Sequence, residues 1–339
     1  KQKTAYEISL GLVGSEMCIR DSDIIDELQK CAEDDLTLAL PQILIDAYSG
    51  VLNSTLESKA LDKAMIAQVL TLPAEGLLID QAEIADIDSI HSVREFIANM
   101  LANNLEASFE EVFRVNSSNK AFKVDAESIA QRALKNLALA YLVRTDKDSW
   151  IKDCYRQFED ATNMTDQLAA LRCLVSSDSE LGIDVATSAL QAFYEKWKHE
   201  PLVVDQWFIV QASCQRKGSI SKVKNLLEHE AFQLRNPNKV LSLIVAFCGQ
   251  NYTGFHDKSG EGYEFLADQV LEIDKFNPQI GARLLTPLTR WKKFDKKRQA
   301  LMQAQLLRIK AESKISKDVF EVVNKSTVSS VSYTHLTLP

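Results

Sequence analysis

Glycine and proline are scarce, at 11 and 7 of 339 residues. β-Sandwiches, barrels and glycine-rich phosphate loops use glycine at their turns, so these classes are disfavoured and a helical protein is favoured. Histidine is rarer still, at 5, which leaves little from which to build a metal centre. No run of about 18 uncharged apolar residues exists, so no transmembrane helix and no membrane partner are expected. The six cysteines, Cys18, Cys31, Cys154, Cys173, Cys214 and Cys248, are scattered without a CxxC pair. In a chain this long they make no disulfide framework and point to a reducing, cytoplasmic compartment. Positive charge is in deficit: 39 Lys and Arg against 47 Asp and Glu give −8, the wrong sign for general nucleic-acid binding. What is present is the apolar content of a globular chain, 46%, enough for a large core in one to three domains.

The two ends differ from the middle. Residues 1–21 open on Lys1-Gln2-Lys3 and an apolar run, as a secretory signal does. Ser9, Gly11, Gly14, Ser15 and Glu16 interrupt that run, and no small-x-small cleavage site follows. Residues 328–339 have no helical period. Both segments resemble translated sequencing-adapter sequence. They are expected to be non-native or disordered, flanking a helical-repeat domain over 22–327 that reads as a piece of a longer gene, open at its N-terminal side.

Within 22–327 nearly everything has helical period. Ile43, Ala47, Val51 and Leu52 form one stripe, and Leu61, Met65, Val69 and Leu72 another, ended by Pro73. Spacings of three and four from Ile90 through Leu101 and Leu105 to Phe113 predict one long helix. Ile129, Ala133, Leu137 and Ala140 follow, then Leu168, Leu171, Leu174 and Val175, then Leu190, Phe193, Tyr194 and Trp197. Asn236-Pro237 and Asn277-Pro278 each place an Asn cap before a proline at the first helical position. Ser58, Asp125, Ser219, Asp295 and Ser316 are further caps. Roughly fourteen helices of about ten to twenty-five residues, joined by short connections, predict an all-α fold of stacked antiparallel pairs. With no clean repeat period, this is an irregular α-solenoid of HEAT or armadillo character. Gly249–Gly262 carries four of the eleven glycines and is the expected flexible boundary within the stack.

Most chemistry-bearing motifs fail on inspection. A zinc-peptidase helix needs His-Glu-x-x-His, which places two ligands on one face. His199-Glu200 is followed by Pro201 and lacks the second His; His229-Glu230 has Gln233 where that His belongs. Gly260-Glu261-Gly262 lacks the third glycine of a dinucleotide loop and reads as a turn into a helix. The basic run Lys292, Lys293, Lys296, Lys297 and Arg298 reads as helix-end and solvated charge. One pattern is of more interest. After Pro278, Ile280, Leu284, Leu285 and Leu288 form an apolar face, while Gln279, Arg283, Thr286 and Arg290 form a separate polar one. If that face meets a cavity, Arg283 suits a carboxylate.

Several uncommon strings carry a resemblance. Ile66-Ala67-Gln68-Val69-Leu70-Thr71-Leu72-Pro73, Asn163-Met164-Thr165-Asp166-Gln167-Leu168, Asp205-Gln206-Trp207-Phe208, Arg235-Asn236-Pro237-Asn238 and Asn277-Pro278-Gln279 occur in this order. Together they resemble the C-terminal domain of bacterial aminopeptidase N, in the gluzincin family of zinc metallopeptidases. The similarity runs from about Asp23 to Ser326. The resemblance implies an all-helical superhelix that closes over a catalytic domain and walls its substrate cavity. It also implies that zinc, its His-Glu-x-x-His ligands and the amine-binding Glu belong to that other domain, so this chain holds no cofactor and no catalytic residue of its own. Its partners are the family's own N-terminal catalytic domain and peptide substrates. Gln279 and Arg283 match the Gln and Arg that point into the cavity in bacterial members. Leu241 departs from the family, which often carries Arg soon after Asn-Pro-Asn.

The expected function is therefore the cavity wall of an aminopeptidase that removes N-terminal residues from peptides. The alternative is a free-standing helical scaffold that binds peptides or proteins. Deleting residues 1–21 and 328–339 is expected to leave the melting temperature unchanged or raised; a clear loss, read by circular dichroism, would show that they pack.

Overall fold

A computed structural model describes residues 39–57, 61–117 and 122–327. The expectations for residues 1–21 and 328–339, and the cap expected at Ser58, lie outside them. The described residues are almost wholly helical, and their one β feature is an isolated bridge between Ala85 and Phe294. They form two compact units. Unit 1 holds the residues up to Gln81 and Asp88–Val210; unit 2 holds Ala82–Ile87 and the residues from Gln211 onward.

Unit 1 is a stack of ten helices among the described residues. They are α1 Gln42–Glu57, α2 Lys63–Val69, α3 Glu75–Gln81, α4 Ile87–Asn104, α5 Glu106–Asn116, α6 Ala126–Val143, α7 Asp148–Asp160, α8 Met164–Ser176, α9 Glu180–Trp197 and α10 Pro201–Ala212. From α6 to α9 each helix packs on the next and on the next but one, the helix-pair stacking of a solenoid. Side-chain caps mark the starts: Asp62, Asp125, Asn163 and Ser179 each accept an otherwise free amide of the first turn. The Asp125 cap is as expected; the other three were not singled out in the sequence.

Stripe phases differ from expectation in the first helices. α1 buries Leu44, Tyr48 and Leu52, not Ile43, which is 68% exposed. α6 buries Ala130, Leu134 and Ala138, with Ile129 exposed. In each case the buried stripe lies one residue on from the expected one. In α2, Met65 is exposed, and Ala67 and Leu70 are buried. The long helix expected over 90–113 is two. Asn103 and Asn104 turn their side-chain amides back onto the carbonyls of Asn99 and Met100, and Leu105 leaves the helical region at φ −115°, ψ 18°. The ladder bends there without breaking, since Leu105 still donates to Leu101 and accepts from Phe109.

A buried polar clamp joins α6 to α8. Lys135 Nζ meets Asp166 Oδ2 at 2.7 Å, and Asn136 and Asn163 donate to the same carboxylate at 2.9 and 3.0 Å. Burial raises the Asp166 pKa, but these donors outweigh it and hold the carboxyl below its ordinary range.

Unit 2 contains α11 Ser219–Leu227, α12 over 237–250, α13 Tyr252–Phe255, α14 Glu261–Asp274, α15 Pro278–Leu284, α16 Thr286–Thr289, α17 Lys296–Ala311 and α18 Lys317–Thr327. A π-helical turn at Leu241–Val245 widens α12. Asn236, Asn277, Asp295 and Ser316 cap helices as expected. Ser219 does not: Gly218 takes that place and Ser219 is buried inside the first turn.

The segment 249–262 is not a flexible boundary. Asn251 is fully buried and donates to the carbonyls of Ala212 and Cys214 at 3.0 and 2.6 Å. Two of its glycines serve the turn and the packing. Gly260 adopts φ 81° to enter α14, and a Cβ on Gly262 would overlap the Phe255 carbonyl. The compact units divide instead at Val210 and Gln211.

Arg298, expected to be solvated, is 2% exposed. It sits one turn before Met302, Leu306 and Ile309, on their buried stripe. Its Nε donates to the His256 carbonyl at 2.7 Å, and Nη1 pairs with Asp295 at 2.9 Å. His256 lies beneath, with Nδ1 2.9 Å from the Tyr263 hydroxyl and its ring against Phe255 and Phe294. Burial, then the charges of Arg298 and Arg290, lower its pKa to about 3, against a small opposing effect of Asp295. The folded state thus binds fewer protons than the unfolded chain between about pH 6.5 and 3. The neutral imidazole's contribution is present above pH 6.5 and is lost as pH falls toward 3. His256→Gln is expected to flatten the fall in stability between pH 6.5 and 4 by roughly 3 kcal/mol. Urea titrations across that range check it; parallel slopes for both proteins would refute it.

Candidate functional site

The polar face singled out in the sequence lies on α15 and α16. α15 starts where Asn277 Oδ1 accepts the Ile280 amide at 3.2 Å. Its back is fixed against α14 and α18, with Leu284, Leu285 and Leu288 buried as expected and Ile280 half-buried. The helix is interrupted at Leu285. Pro287 has no amide to give the Arg283 carbonyl, and Thr286 Oγ1 takes that place at 2.8 Å.

Gln279, Arg283, Thr286 and Arg290 are all exposed, so the four do lie outward. They are not equivalent. The Arg290 charge acts on buried His256, and the Thr286 hydroxyl is occupied by the backbone. The side chains of Gln279 and Arg283 make no hydrogen bond or ion pair with the described residues. These two are the polar groups of the face left available to a ligand.

One neighbour was not foreseen. Arg235 stacks over the Phe276 ring at 4.7 Å, which brings a second guanidinium to the start of α15. The sequence signal is slight: Arg235 precedes one Asn-Pro pair and Phe276 the other. Leu241, where the family often has Arg, is 53% exposed.

The alternatives carry less. Unit 1 has a groove of about 950 Å³ beside α5 and α7, with the Lys135–Asp166 clamp on its lining. Most other charges around it are already paired: Lys147 with Glu106 at 2.5 Å, Arg156 with Asp153 at 2.8 Å, and Arg114 with Glu110. His199 is exposed, and His229 Nδ1 accepts the Ala231 amide at 3.2 Å. Among the described residues no three His, Cys, Asp or Glu side chains gather to hold a metal ion, so a zinc site does not fit them. Nor is any described helix long and apolar enough to cross a membrane.

Residues 21–328 match the family described as "Domain of unknown function (DUF3458_C) ARM repeats". The chain belongs to this ARM-repeat family, which forms the C-terminal helical domain of aminopeptidase N. It is 35% identical over 289 residues to Aminopeptidase N of Escherichia coli (strain K12), a match covering 85% of this chain and 32% of that protein. It is also 35% identical over 286 residues to Aminopeptidase N of Haemophilus influenzae, covering 84% and 32%. The crystal structure of Legionella pneumophila aminopeptidase A in complex with aspartic acid superposes with a TM-score of 0.82 at 31% identity, over 96% of this chain and 39% of that one. The chain thus spans about a third of the length of the curated relatives it matches.

Since Gln279 and Arg283 hold nothing among the described residues, Gln279→Ala and Arg283→Ala are each expected to change stability by less than about 1 kcal/mol. Chemical denaturation checks this. A larger loss would place them in the packing.

Proposed function

We propose that this domain walls the substrate cavity of a cytoplasmic zinc aminopeptidase of broad specificity, with Gln279 and Arg283 facing bound peptide. The observation that carries the reading is the free polar pair on a helix whose other face is locked. A guanidinium without a partner among the described residues suits a peptide carboxylate or backbone carbonyl, which it meets through charge-assisted, two-pronged hydrogen bonds. The names of the relatives and the matched third of their length support the same reading.

In this proposal the reacting groups belong to the catalytic domain. The zinc there would polarise the scissile carbonyl and activate water, held by a His-Glu-x-x-His that this sequence does not contain. The role left to α15 is positional. It holds the peptide beyond the scissile bond, where binding energy counts toward kcat/KM.

The test has two parts. The purified chain with added zinc is expected to release nothing from an alanyl chromogenic amide; turnover abolished by chelation would overturn this. Then the matching third of the Escherichia coli aminopeptidase N is exchanged for residues 22–327. In that chimera Arg283→Ala is expected to slow tri- and tetrapeptide cleavage roughly tenfold in kcat/KM, about 1.4 kcal/mol. A one-residue amide, which barely reaches past the scissile bond, is affected less. Equal peptide kinetics for parent and variant would place Arg283 on an outer surface.

A further inference from the structure

Unit 2 concentrates positive charge in one stretch of chain. Residues 275–311 carry ten Lys and Arg against a single acid, Asp295, while the rest of the chain carries 29 against 46. Part of this charge is balanced. Lys275 pairs with Glu272 at 2.5 Å, Arg308 with Asp268 at 2.6 Å and Arg298 with Asp295 at 2.9 Å, and Arg290 and Lys293 are engaged within the chain. Arg283, Lys292, Lys296 and Lys297 are all exposed and have no carboxylate partner among the described residues.

Two of these lysines sit where they cost the fold stability. Lys296 and Lys297 open α17, at the helix end that is already positive, and no acidic residue shares that first turn. The Asp295 cap is taken up by the amides of Lys297 and Arg298 and by the Arg298 guanidinium. Lysines that complement a helix dipole belong at the other end, so the helix-end reading of the basic run fails for this pair. The preceding turn is held close by. Gln299 Nε2 donates to the carbonyls of Lys292 and Phe294 at 3.3 and 2.8 Å, and Trp291 Nε1 donates to the Ser326 carbonyl at 3.2 Å. The Lys292 ammonium lies 5.3 Å from the centre of the Trp291 ring. The backbone positions that carry these like charges are thus fixed beside one another.

We infer that this basic strip is a docking surface for anionic peptides, and that through it the domain favours substrates with Asp or Glu downstream of the cleaved residue; the substrate part rests on the cavity-wall reading above. Arg290 lies on the helical face of Gln279 and Arg283, and Lys292, Lys296 and Lys297 follow it within seven residues. Arg235, exposed and stacked on Phe276 at the start of α15, adds a further guanidinium. A peptide carboxylate meets arginine through a two-pronged pair and lysine as a point charge.

The rest of the chain argues for a short ligand. Its excess of acids repels a long polyanion such as a nucleic acid. A peptide of a few residues feels mainly the strip, whose field raises the local concentration of anions and is screened by salt.

The experiment titrates the purified chain against Ala-Glu-Glu-Glu and Ala-Gln-Gln-Gln, each carrying the same neutral dye at its C-terminus, and reads fluorescence anisotropy at low and high salt. The acidic peptide is expected to bind roughly tenfold tighter at low salt, with the gap narrowing as salt rises. Lys296→Glu together with Lys297→Glu is expected to close the gap and to raise the melting temperature, since it removes positive charge from a helix start. Lys152→Glu together with Lys222→Glu makes the same charge change at exposed sites outside the strip and is expected to leave the gap in place. In the chimera, the 296/297 reversal is expected to lower kcat/KM for Ala-Glu-Glu roughly tenfold and to spare Ala-Gln-Gln. Equal binding of the two peptides, a gap that survives the reversal, or tighter binding of a single-stranded oligonucleotide of equal charge would overturn the inference. The cavity wall is tested apart from it: a chimera slowed by Arg283→Ala on neutral peptides but indifferent to the reversal keeps the wall and loses the acidic preference.

Discussion

A helix of seven to eighteen residues cannot hold itself together in water. Its first turn has four amides without partners, and nucleation costs more than so few internal hydrogen bonds return. That constraint governs this molecule. Side-chain caps at many of the helix starts and stripes covered by neighbouring helices offset that cost. In unit 1 the caps are side chains of Asp, Asn and Ser; in unit 2 they are Asn-Pro pairs, Asp295 and Ser316. Buried polar groups then fix how the covered faces meet, as the Lys135–Asp166 clamp does for α6 and α8.

The strings that carry the family resemblance are this machinery. Asn163 and Asp166 form a cap and a clamp, and Gln167 accepts the Trp197 indole proton at 3.0 Å. Trp207 donates to the Leu190 carbonyl. The Leu70 carbonyl accepts the Tyr141 hydroxyl, and the Pro73 carbonyl accepts from Arg94. Such positions tolerate few side chains, because an unmet buried polar group costs its full desolvation. They identify the fold and say little about the reaction. The groups proposed to meet peptide, Gln279 and Arg283, have no such duty among the described residues.

The helical class, the Asn-Pro starts and the polar face of α15 were legible because each depends on residues within a turn or two of one another. Stripe phase was less so. α1 and α6 each offer two adjacent apolar lines, and only packing selects Leu44 over Ile43 or Leu134 over Ala133. Arg298 shows the opposite case. A charge run reads as surface, yet the spacing of Arg298, Met302, Leu306 and Ile309 already placed this arginine on the buried line. The stacking of Arg235 on Phe276 joins residues forty-one apart, and no local pattern announces such a meeting.

The bridge between Ala85 and Phe294 bears on how the chain is made. Ala85 donates its amide to the Lys293 carbonyl at 2.7 Å, and Ala82–Ile87 belongs to unit 2 although it links two helices of unit 1. Unit 2 is therefore discontinuous in sequence. A ribosome delivers this six-residue piece some two hundred residues before the segment that receives it, at the pace of tens of seconds. During that interval unit 1 can complete its own contacts, while the loop between α3 and α4 waits with its backbone open to water. Synthesis order thus makes unit 2 the last to close, and a fragment cut at residue 211 would lack the Ala85 amide that its Lys293 carbonyl accepts.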